Sequence, residues 1–175
     1  MASHLNVEIK ARCVNLYAVR EYLETHSAEI RGRDHQVDTY FCSPKGRLKL
    51  REGDLENALI FYQREDRAGP KVSDVSLWEP SQFPIKEVLT KVLGVLVVVD
   101  KQREIYFIDN AKFHLDAVKG LGTFVEIEAI DYDGTIGLDR LHQQCTHFLD
   151  ELGIQKEDLL AVSYSDMLLA KAKQG

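Results

Sequence analysis

The stretch "GTFVEIEAI", residues 122–130, alternates apolar and charged side chains. Glu126 and Glu128 lie two positions apart, and the apolar residues Val125 and Ile127 occupy the positions between and before them. Successive side chains of a β-strand point to opposite faces, so this stretch predicts a strand with one apolar face and one carboxylate face. An ordinary solvated sheet explains one such strand.

The same alternation recurs on five further predicted strands. On each of them the charged or polar side chains share one face: Glu8 with Lys10; Arg47 with Lys49 and Arg51; Tyr62 with Arg64; Lys101 with Arg103; and Lys112 with His114 and Asp116. Like charges at a spacing of two repel each other, so a merely solvated face gains nothing from them. Cations concentrate on 47–51 and 101–103, whereas carboxylates concentrate on 124–128. This sorting favours a charged site.

A closed barrel would turn all these charged faces into one interior. Isolated buried charges cost too much free energy, so such an interior must hold water and counter-ions. Cationic walls suit a polyphosphate, and carboxylates suit Mg²⁺ or Mn²⁺. A formal count sets the cations Lys10, Lys49, Arg51, Arg64, Lys101 and Arg103 against the carboxylates Glu8, Asp116, Glu126 and Glu128. The excess of positive charge would be nearly balanced by a triphosphate of about four negative charges with one or two divalent ions.

The order of predicted elements indicates an α+β fold. Strands are predicted over 5–14, 35–43, 47–52 and 58–66, and in "VSDVSLWEP", which ends at Pro80. Residues 95–108 are predicted as one strand or a hairpin, and a further hairpin is predicted around Gly120–Gly122. Helices are predicted from an N-cap at Asn15 to Gly32, from Ser81 to Gly94, over 137–153, and as a short last helix. The regular hairpin spacing favours antiparallel pairing, in one curved or closed sheet with helices outside it.

Composition narrows the class of protein further. The 175 residues fit one domain over 1–175, and a net charge of −6 argues against a general nucleic-acid binder. The longest apolar run, "VLGVLVVV" at 92–99, is too short to span a bilayer, and "MASHLNVEIK" does not open on a secretory signal. The three cysteines form no CxxC pair and are expected to be reduced thiols. These features predict a cytoplasmic protein without a membrane segment.

Seven motifs, in order, resemble the CYTH superfamily: "NVEIKAR", "HQVDTYF", "GRLKLRE", "YQRED", "VDKQREIYF", "FHLDAVKGLGTFVEIEAI" and "YSDML". This is the superfamily of class IV adenylyl cyclases and thiamine triphosphatases, or triphosphate tunnel metalloenzymes. The likeness extends over about residues 5–169 and is strongest to the class IV adenylyl cyclase branch. It implies an eight-stranded antiparallel β-barrel that forms a triphosphate tunnel, with helices packed outside, and a homodimer.

The resemblance also implies residue roles. Carried over by position, Glu8, Glu126 and Glu128 look like ligands of Mg²⁺ or Mn²⁺; Lys10, Lys49, Arg51, Arg64, Lys101 and Arg103 look like the phosphate-binding set; and Glu8, Lys10, Asp116, Glu126 and Glu128 look like the catalytic set. The implied partner is a small-molecule triphosphate such as ATP, tripolyphosphate or thiamine triphosphate. One position departs from the family's Glu-x-Glu-x-Lys signature, because Asn6 stands at its first glutamate. A neutral amide supplies no charge to a metal, so a second metal ion is expected to bind more weakly.

Four further residues have two interpretations each. His114 is interpreted as a tunnel-rim histidine, with a base or a partner of a metal ligand as the alternative. Asp38 and Tyr40 are interpreted as packing or hydrogen-bonding groups of the barrel wall, with contact to an organic part of the substrate as the alternative. Trp78 is interpreted as a core or dimer contact, with a stacking platform as the alternative.

Three functions are consistent with this pattern. The first is a class IV adenylyl cyclase, which converts ATP to cyclic AMP and pyrophosphate. The second is a hydrolase of tripolyphosphate, thiamine triphosphate or a nucleoside triphosphate. The third is a polyphosphate- or nucleotide-binding protein with weak activity, which Asn6 keeps open. The reaction products separate the first two functions.

Overall fold

The computed structural model of the protein describes residues 2–64, 68–78 and 84–174. In this part of the chain there are eight strands: β1 Ala2–Arg12, β2 Glu29–Phe41, β3 Arg47–Gly53, β4 Ala58–Arg64, β5 Lys71–Trp78, β6 Val95–Ile108, β7 Ala111–Val118 and β8 Gly122–Asp131. The four α-helices found there are α1 Leu16–Thr25, α2 Ile85–Leu93, α3 Leu138–Glu151 and α4 Tyr164–Ala172. None of these helices is long and apolar enough to cross a membrane.

The strands close into an antiparallel barrel in the order β1-β5-β4-β3-β2-β6-β7-β8. The pairing of β1 with β8 completes the closure and sets Glu8 opposite Glu128 and Lys10 opposite Glu126. In the antiparallel sheet, directly opposed residues point to the same side. The predicted α+β class, with an eight-stranded antiparallel barrel and helices outside, is therefore confirmed.

The main hydrophobic core lies outside the barrel, between its wall and helices α1 and α3. The apolar faces of β1, β7 and β8 supply Ile9, Phe113 and Ile127, and helix α3 supplies Leu141 and Cys145, all buried. Burial of each large apolar side chain stabilises the fold by about 1.5–3 kcal/mol. Because β1, β7 and β8 use their apolar faces on the outside, their charged faces turn inward.

The end of helix α1 and the start of strand β2, at Glu29 rather than at residue 35, differ from the sequence prediction. Helix α1 begins after the predicted N-cap Asn15, whose side chain accepts a hydrogen bond from the Ala18 backbone N–H at 3.3 Å. It ends at Thr25 rather than near Gly32, because Ser27 adopts a positive φ of 57° and the chain from Glu29 pairs with β6. Residues 95–108 form one strand. The predicted ends at Asp66, Pro80 and Ser81 lie outside the described residues.

The segment before α4 and the start of this helix cover one end of the barrel. The backbone N–H of Leu160 donates to the Lys10 carbonyl at 2.9 Å, and the Lys71 ammonium donates to the Leu160 carbonyl at 2.8 Å. A capping box between Ser163 and Asp166 starts the helix. Tyr164 then packs into the apolar cluster at this end of the barrel.

Candidate active site

The barrel encloses a cavity of about 850 Å³ with lining residues from all eight strands. The charged residues predicted from the alternation that line it are Glu8, Lys10, Lys49, Arg51, Lys101, Arg103, Lys112, His114, Glu126 and Glu128. Asp116 is buried and contacts Arg103. Arg47 instead pairs with Asp166 of α4 at 2.9 Å. The side chain of Arg64 lies outside the described part of the structure.

Three cations in the lumen converge on the buried carboxylate of Asp38. Lys49 and Lys101 each donate from Nζ at 2.9 Å, and Arg51 donates from Nε at 2.8 Å and from Nη2 at 3.1 Å. Burial alone would raise the pKa of Asp38, but the positive charges around it hold this pKa well below its usual value. Asp38 is therefore more than a wall residue, because it is the shared counter-ion of a cationic cluster.

Lys101 is the most perturbed cation of this cluster. Its side chain is almost fully buried, and this burial lowers the pKa of its ammonium to about 7, although Asp38 opposes the change. The neighbouring charges of Arg51 and Arg103 contribute to this lowering. A second anion placed next to Lys101 would favour its charged form, so this end of the lumen is suited to a polyanion.

A second charged cluster joins Arg103 to the carboxylates of β7 and β8. Arg103 donates to both oxygens of Asp116, at 2.7 and 2.5 Å, and to Glu126 at 2.7 Å. Lys10 pairs with the other Glu126 oxygen, and Tyr164 donates to Asp116 at 2.8 Å. Burial would raise the pKa of Glu126, yet Lys10 and Arg103 hold this pKa well below its usual value. The carboxylates are consequently ionised at neutral pH.

His114 lies inside this second cluster. Its side chain is 1% exposed, so the prediction of a rim histidine is wrong. Its Nδ1 lies 3.1 Å from a Glu126 oxygen and 3.8 Å from a Glu128 oxygen. Burial, together with the charge of Arg103, lowers the pKa of His114, which favours a neutral imidazole. The signal for this placement was in the sequence, because His114 shares the parity of Lys112 and Asp116.

The donor atoms of this cluster fit a divalent cation. One ligand atom from each of His114, Glu126 and Glu128 lies within 4.8 Å of the other two. Glu8 lies opposite Glu128 across the β1–β8 pair and adds a further carboxylate. Carboxylate oxygens are the ligands that Mg²⁺ and Mn²⁺ prefer. Asn6 also lines the lumen, and its Oδ1 is buried without a hydrogen-bond partner among the described residues.

Glu56 is a lumen residue that the sequence analysis did not identify. It belongs to the loop between β3 and β4, and its carboxylate accepts from Lys112 at 2.6 Å and from Arg51 at 3.1 Å. Buried Asp34 holds this loop by accepting the backbone N–H groups of Leu55 and Glu56, at 2.9 and 3.1 Å. Strand alternation assigns no direction to a loop side chain, so no sequence signal pointed to Glu56.

One wall of the lumen is apolar rather than charged. Strands β4 and β5 turn Ile60, Val75 and Leu77 toward the cavity, and Trp78 and Phe107 also line it. Trp78 is 38% exposed, so its interpretation as a core residue is wrong. Charged and apolar walls in one cavity can hold a ligand that has an anionic part and an organic part.

Fold and site together define a closed antiparallel barrel whose interior contains a cluster of cations and a cluster of carboxylates. The CYTH domain family model matches residues 4–164 of the chain, and the protein belongs to the CYTH domain family. Members of this family act on triphosphate substrates as adenylyl cyclase-like or triphosphatase enzymes, and the tunnel enzymes among them are generally metal-dependent. No curated protein sequence matches the chain.

Several solved structures share the fold. A conserved hypothetical protein from Pyrococcus furiosus is 22% identical with a TM-score of 0.77, over 92% of this chain and 98% of its own. A Vibrio parahaemolyticus protein provisionally assigned as an adenylate cyclase is 19% identical with a TM-score of 0.72, over 94% and 97%. HpAC1 from Hippeastrum, provisionally an adenylyl cyclase with a dominant triphosphatase activity, is 14% identical with a TM-score of 0.58, over 97% and 96%.

Proposed function

We propose that this protein is a metal-dependent adenylyl cyclase that converts ATP to cyclic AMP and pyrophosphate inside the barrel. The observation that carries the proposal is the placement of the two charged clusters in one lumen. The cations around Asp38 suit phosphate oxygens, and the carboxylates beside His114 suit a divalent metal.

The phosphate chain binds along the cationic walls in this proposal. Lys49, Arg51 and Lys101 share a single carboxylate, so each can exchange part of its contact with Asp38 for a phosphate oxygen. Lys10, Arg64 and Arg103 complete the set. An arginine fork binds two phosphate oxygens at once and fixes their orientation, which places the leaving pyrophosphate.

The carboxylates act at the α-phosphate. Glu8, Glu126 and Glu128 would hold Mg²⁺ or Mn²⁺, and Asp116 and Tyr164 keep the Arg103 side chain aimed at Glu126. When bound, the metal supplies Lewis-acid polarisation of the α-phosphate and lowers the pKa of the ribose 3′-hydroxyl. Most of the protein's contribution is then positioning and charge stabilisation, as in other phosphoryl transfers.

The apolar wall supports an organic substrate. Ile60, Leu77 and Trp78 offer the adenosine part of ATP a surface that inorganic tripolyphosphate would not use. Tyr40 lines the same cavity. Contact of its side chain with the organic part of the substrate is therefore also part of the proposal.

A triphosphate hydrolase is the second candidate. The HpAC1 protein, which shares this fold, has a dominant triphosphatase activity. The same cationic walls could hold tripolyphosphate, thiamine triphosphate or a nucleoside triphosphate while water attacks the terminal phosphate. A weakly active binding protein is the third candidate, since Asn6 replaces a family carboxylate.

Product analysis tests the proposal. The protein is incubated with Mg²⁺ or Mn²⁺ and, separately, with ATP, thiamine triphosphate and tripolyphosphate, and the products are resolved by chromatography. Cyclic AMP with pyrophosphate supports the cyclase. Orthophosphate as the main product would contradict the cyclase and support the hydrolase. Substrate binding without any product would support the weakly active binding protein.

Arg51→Ala is expected to lower kcat/KM at least tenfold, about 1.4 kcal/mol, because a charge-assisted phosphate contact is lost. Arg33→Ala is the matched control, since its side chain is largely exposed and pairs with Glu104 at 3.6 Å. Steady-state kinetics with ATP measure both variants. Unchanged kinetics for Arg51→Ala would remove the 47–51 strand from the phosphate site.

Asn6→Glu is expected to lower the metal concentration for half-maximal activity several-fold, because it adds a carboxylate to a position whose amide oxygen has no described partner. Without metal the same variant should have a lower Tm, since another carboxylate is buried near Glu8 and Glu128. Asn6→Gln matches its size without the charge. Equal metal titration curves for the two variants would contradict this expectation.

The remaining parts of the proposal concern localisation, domain extent and oligomeric state. We propose a cytoplasmic protein with one CYTH-like domain over residues 1–175. The homodimer that the resemblance implies is also part of this proposal, and sedimentation of the purified protein measures it.

A further inference from the structure

The position of His114 relative to two carboxylates has a consequence for the metal. Its Nδ1 lies 3.1 Å from Glu126 Oε2 and 3.8 Å from Glu128 Oε1, and the three donor atoms lie within 4.8 Å of one another. Ligands about 2.1 Å from a cation lie about 3.0–3.5 Å apart when they are neighbours in its coordination shell. The two distances from Nδ1 are close to this range, so one cation can reach all three atoms with small side-chain movements.

The second imidazole nitrogen, Nε2, has room to carry the proton of His114. His114 is buried in the lumen, and its Nε2 has no hydrogen-bond partner among the described residues. An ionised carboxylate only accepts hydrogen bonds, so Nδ1 carries the proton here and donates to Glu126 at 3.1 Å. Binding of a cation at Nδ1 therefore requires this proton to move to Nε2. With the proton on Nε2, the lone pair of Nδ1 points toward the Glu126 and Glu128 oxygens, where a cation would replace the present hydrogen bond.

We propose that His114 binds the lumen cation directly through Nδ1, together with Glu126 and Glu128, and that this nitrogen ligand makes the site select Mn²⁺, Co²⁺ and Zn²⁺ over Mg²⁺. The inference rests on the proposed function only in requiring a divalent cation in the lumen. It adds a residue to the expected carboxylate ligands, and it identifies the class of metal.

The chemistry of the donor set gives the direction of this selectivity. Mg²⁺ takes oxygen ligands in a strict octahedron and keeps several waters, so it gains little from an imidazole. First-row transition ions accept imidazole nitrogen readily, with an affinity that rises from Mn²⁺ toward Co²⁺ and Zn²⁺. Asn6 strengthens the argument, because this chain lacks one carboxylate of the family signature and retains a neutral nitrogen donor beside the remaining ones.

The test is pulsed electron paramagnetic resonance of Mn²⁺ bound to the full-length protein without substrate. Modulation of the electron spin echo by a directly bound ¹⁴N nucleus is expected in the wild type and in the control His147→Ala, whose imidazole is exposed on α3. It is expected to be lost in His114→Ala and in His114→Gln. Circular dichroism verifies the fold of each variant, and the wild-type spectrum decides the question even where a variant does not fold.

Competition titrations give a second readout. The affinity ratio of Mn²⁺ to Mg²⁺ is expected to fall at least tenfold in His114→Ala and to be unchanged in His147→Ala. Bound Mn²⁺ without nitrogen modulation in the wild type would overturn the inference and leave a metal-dependent enzyme with oxygen ligands intact. Absence of any Mn²⁺ binding together with absence of turnover would overturn both this inference and the proposed function.

Discussion

Asp38→Asn is expected to lower the free energy of unfolding by about 3–5 kcal/mol, the cost of leaving buried charges without their partner. Asp38 is the shared acceptor of Lys49, Arg51 and Lys101, so the neutral amide removes the counter-ion of three cations at once. Chemical denaturation at neutral pH measures the loss. Asp100→Asn is the control, because that carboxylate pairs with His35 and Lys119 near the surface, and its loss should cost less than about 1 kcal/mol.

A polyanion should reverse most of this loss. In Asp38→Asn the cations Lys49 and Lys101 lose the counter-ion described for them, and Arg51 keeps Glu56. Tripolyphosphate is therefore expected to raise the Tm of this variant more than that of the wild type. Equal Tm increases in both proteins would contradict the idea that Asp38 and phosphate compete for the same cations. A wild-type-like free energy of unfolding would show that the three cations do not depend on Asp38.

The stability of the wild type is expected to fall on acidification because of Asp38. The pKa of Asp38 is held well below its usual value in the folded protein by the three neighbouring cations. A carboxyl group of this kind stabilises the fold above its unfolded-state pKa of about 3.9, and the contribution is lost as the pH falls through the folded-state pKa. Asp38→Asn should therefore lose less stability than the wild type on acidification.

Strand alternation predicted ten of the charged residues that line the barrel, although it also assigned Arg47 to that face and did not identify the apolar wall. Glu8, Lys49 and Glu126 were assigned to charged faces because their strands have an apolar residue at every second position. On β1 and β8 that apolar face packs against helices α1 and α3. The period of two is a local property of the chain. Closure of the sheet then converts a set of local faces into one interior, and the family resemblance implied this closure.

The partners inside the lumen could not be predicted in the same way. Asp38 was interpreted as a residue of the barrel wall. A lone carboxylate in a strand sequence does not reveal that three cations on neighbouring strands will contact it. Those contacts depend on the β2–β3 and β2–β6 registers. Glu56 depends on the conformation of a loop, which Asp34 fixes from another strand. Long-range register and loop conformation are the parts that local patterns leave open.

The proposed metal role of the carboxylate cluster can be tested at one position, Glu128, with little effect on fold stability. Glu126 is held by Lys10 and Arg103, so its removal would disturb both the fold and the site. Glu128 is more exposed to the lumen, and the nearest contact described for it is His114 at 3.8 Å. Its pKa is lowered mainly by His114 and Lys112 against the effect of burial. Glu128 is therefore the better position for testing the metal role alone.

Glu128→Gln is expected to lower kcat by about 100-fold, while KM for ATP changes less than threefold, because a metal ligand is lost and the cations around Asp38 remain. The metal concentration for half-maximal activity should rise, since the amide offers oxygen without charge. Steady-state kinetics at several Mn²⁺ concentrations measure both effects. Glu52→Gln is the matched control, because that side chain is half exposed and pairs with Lys86 at 2.6 Å on the outside of the barrel.

The two parameters together decide the role of Glu128. A fall in kcat with a retained KM places it with the metal, because phosphate binding is then unaffected by its charge. A large rise in KM with an unchanged kcat would instead place it among the substrate contacts. Wild-type values for both parameters would remove Glu128 from the reaction. The metal would then be left to Glu8, the cross-strand partner of Glu128, and to Glu126, which is paired with Lys10.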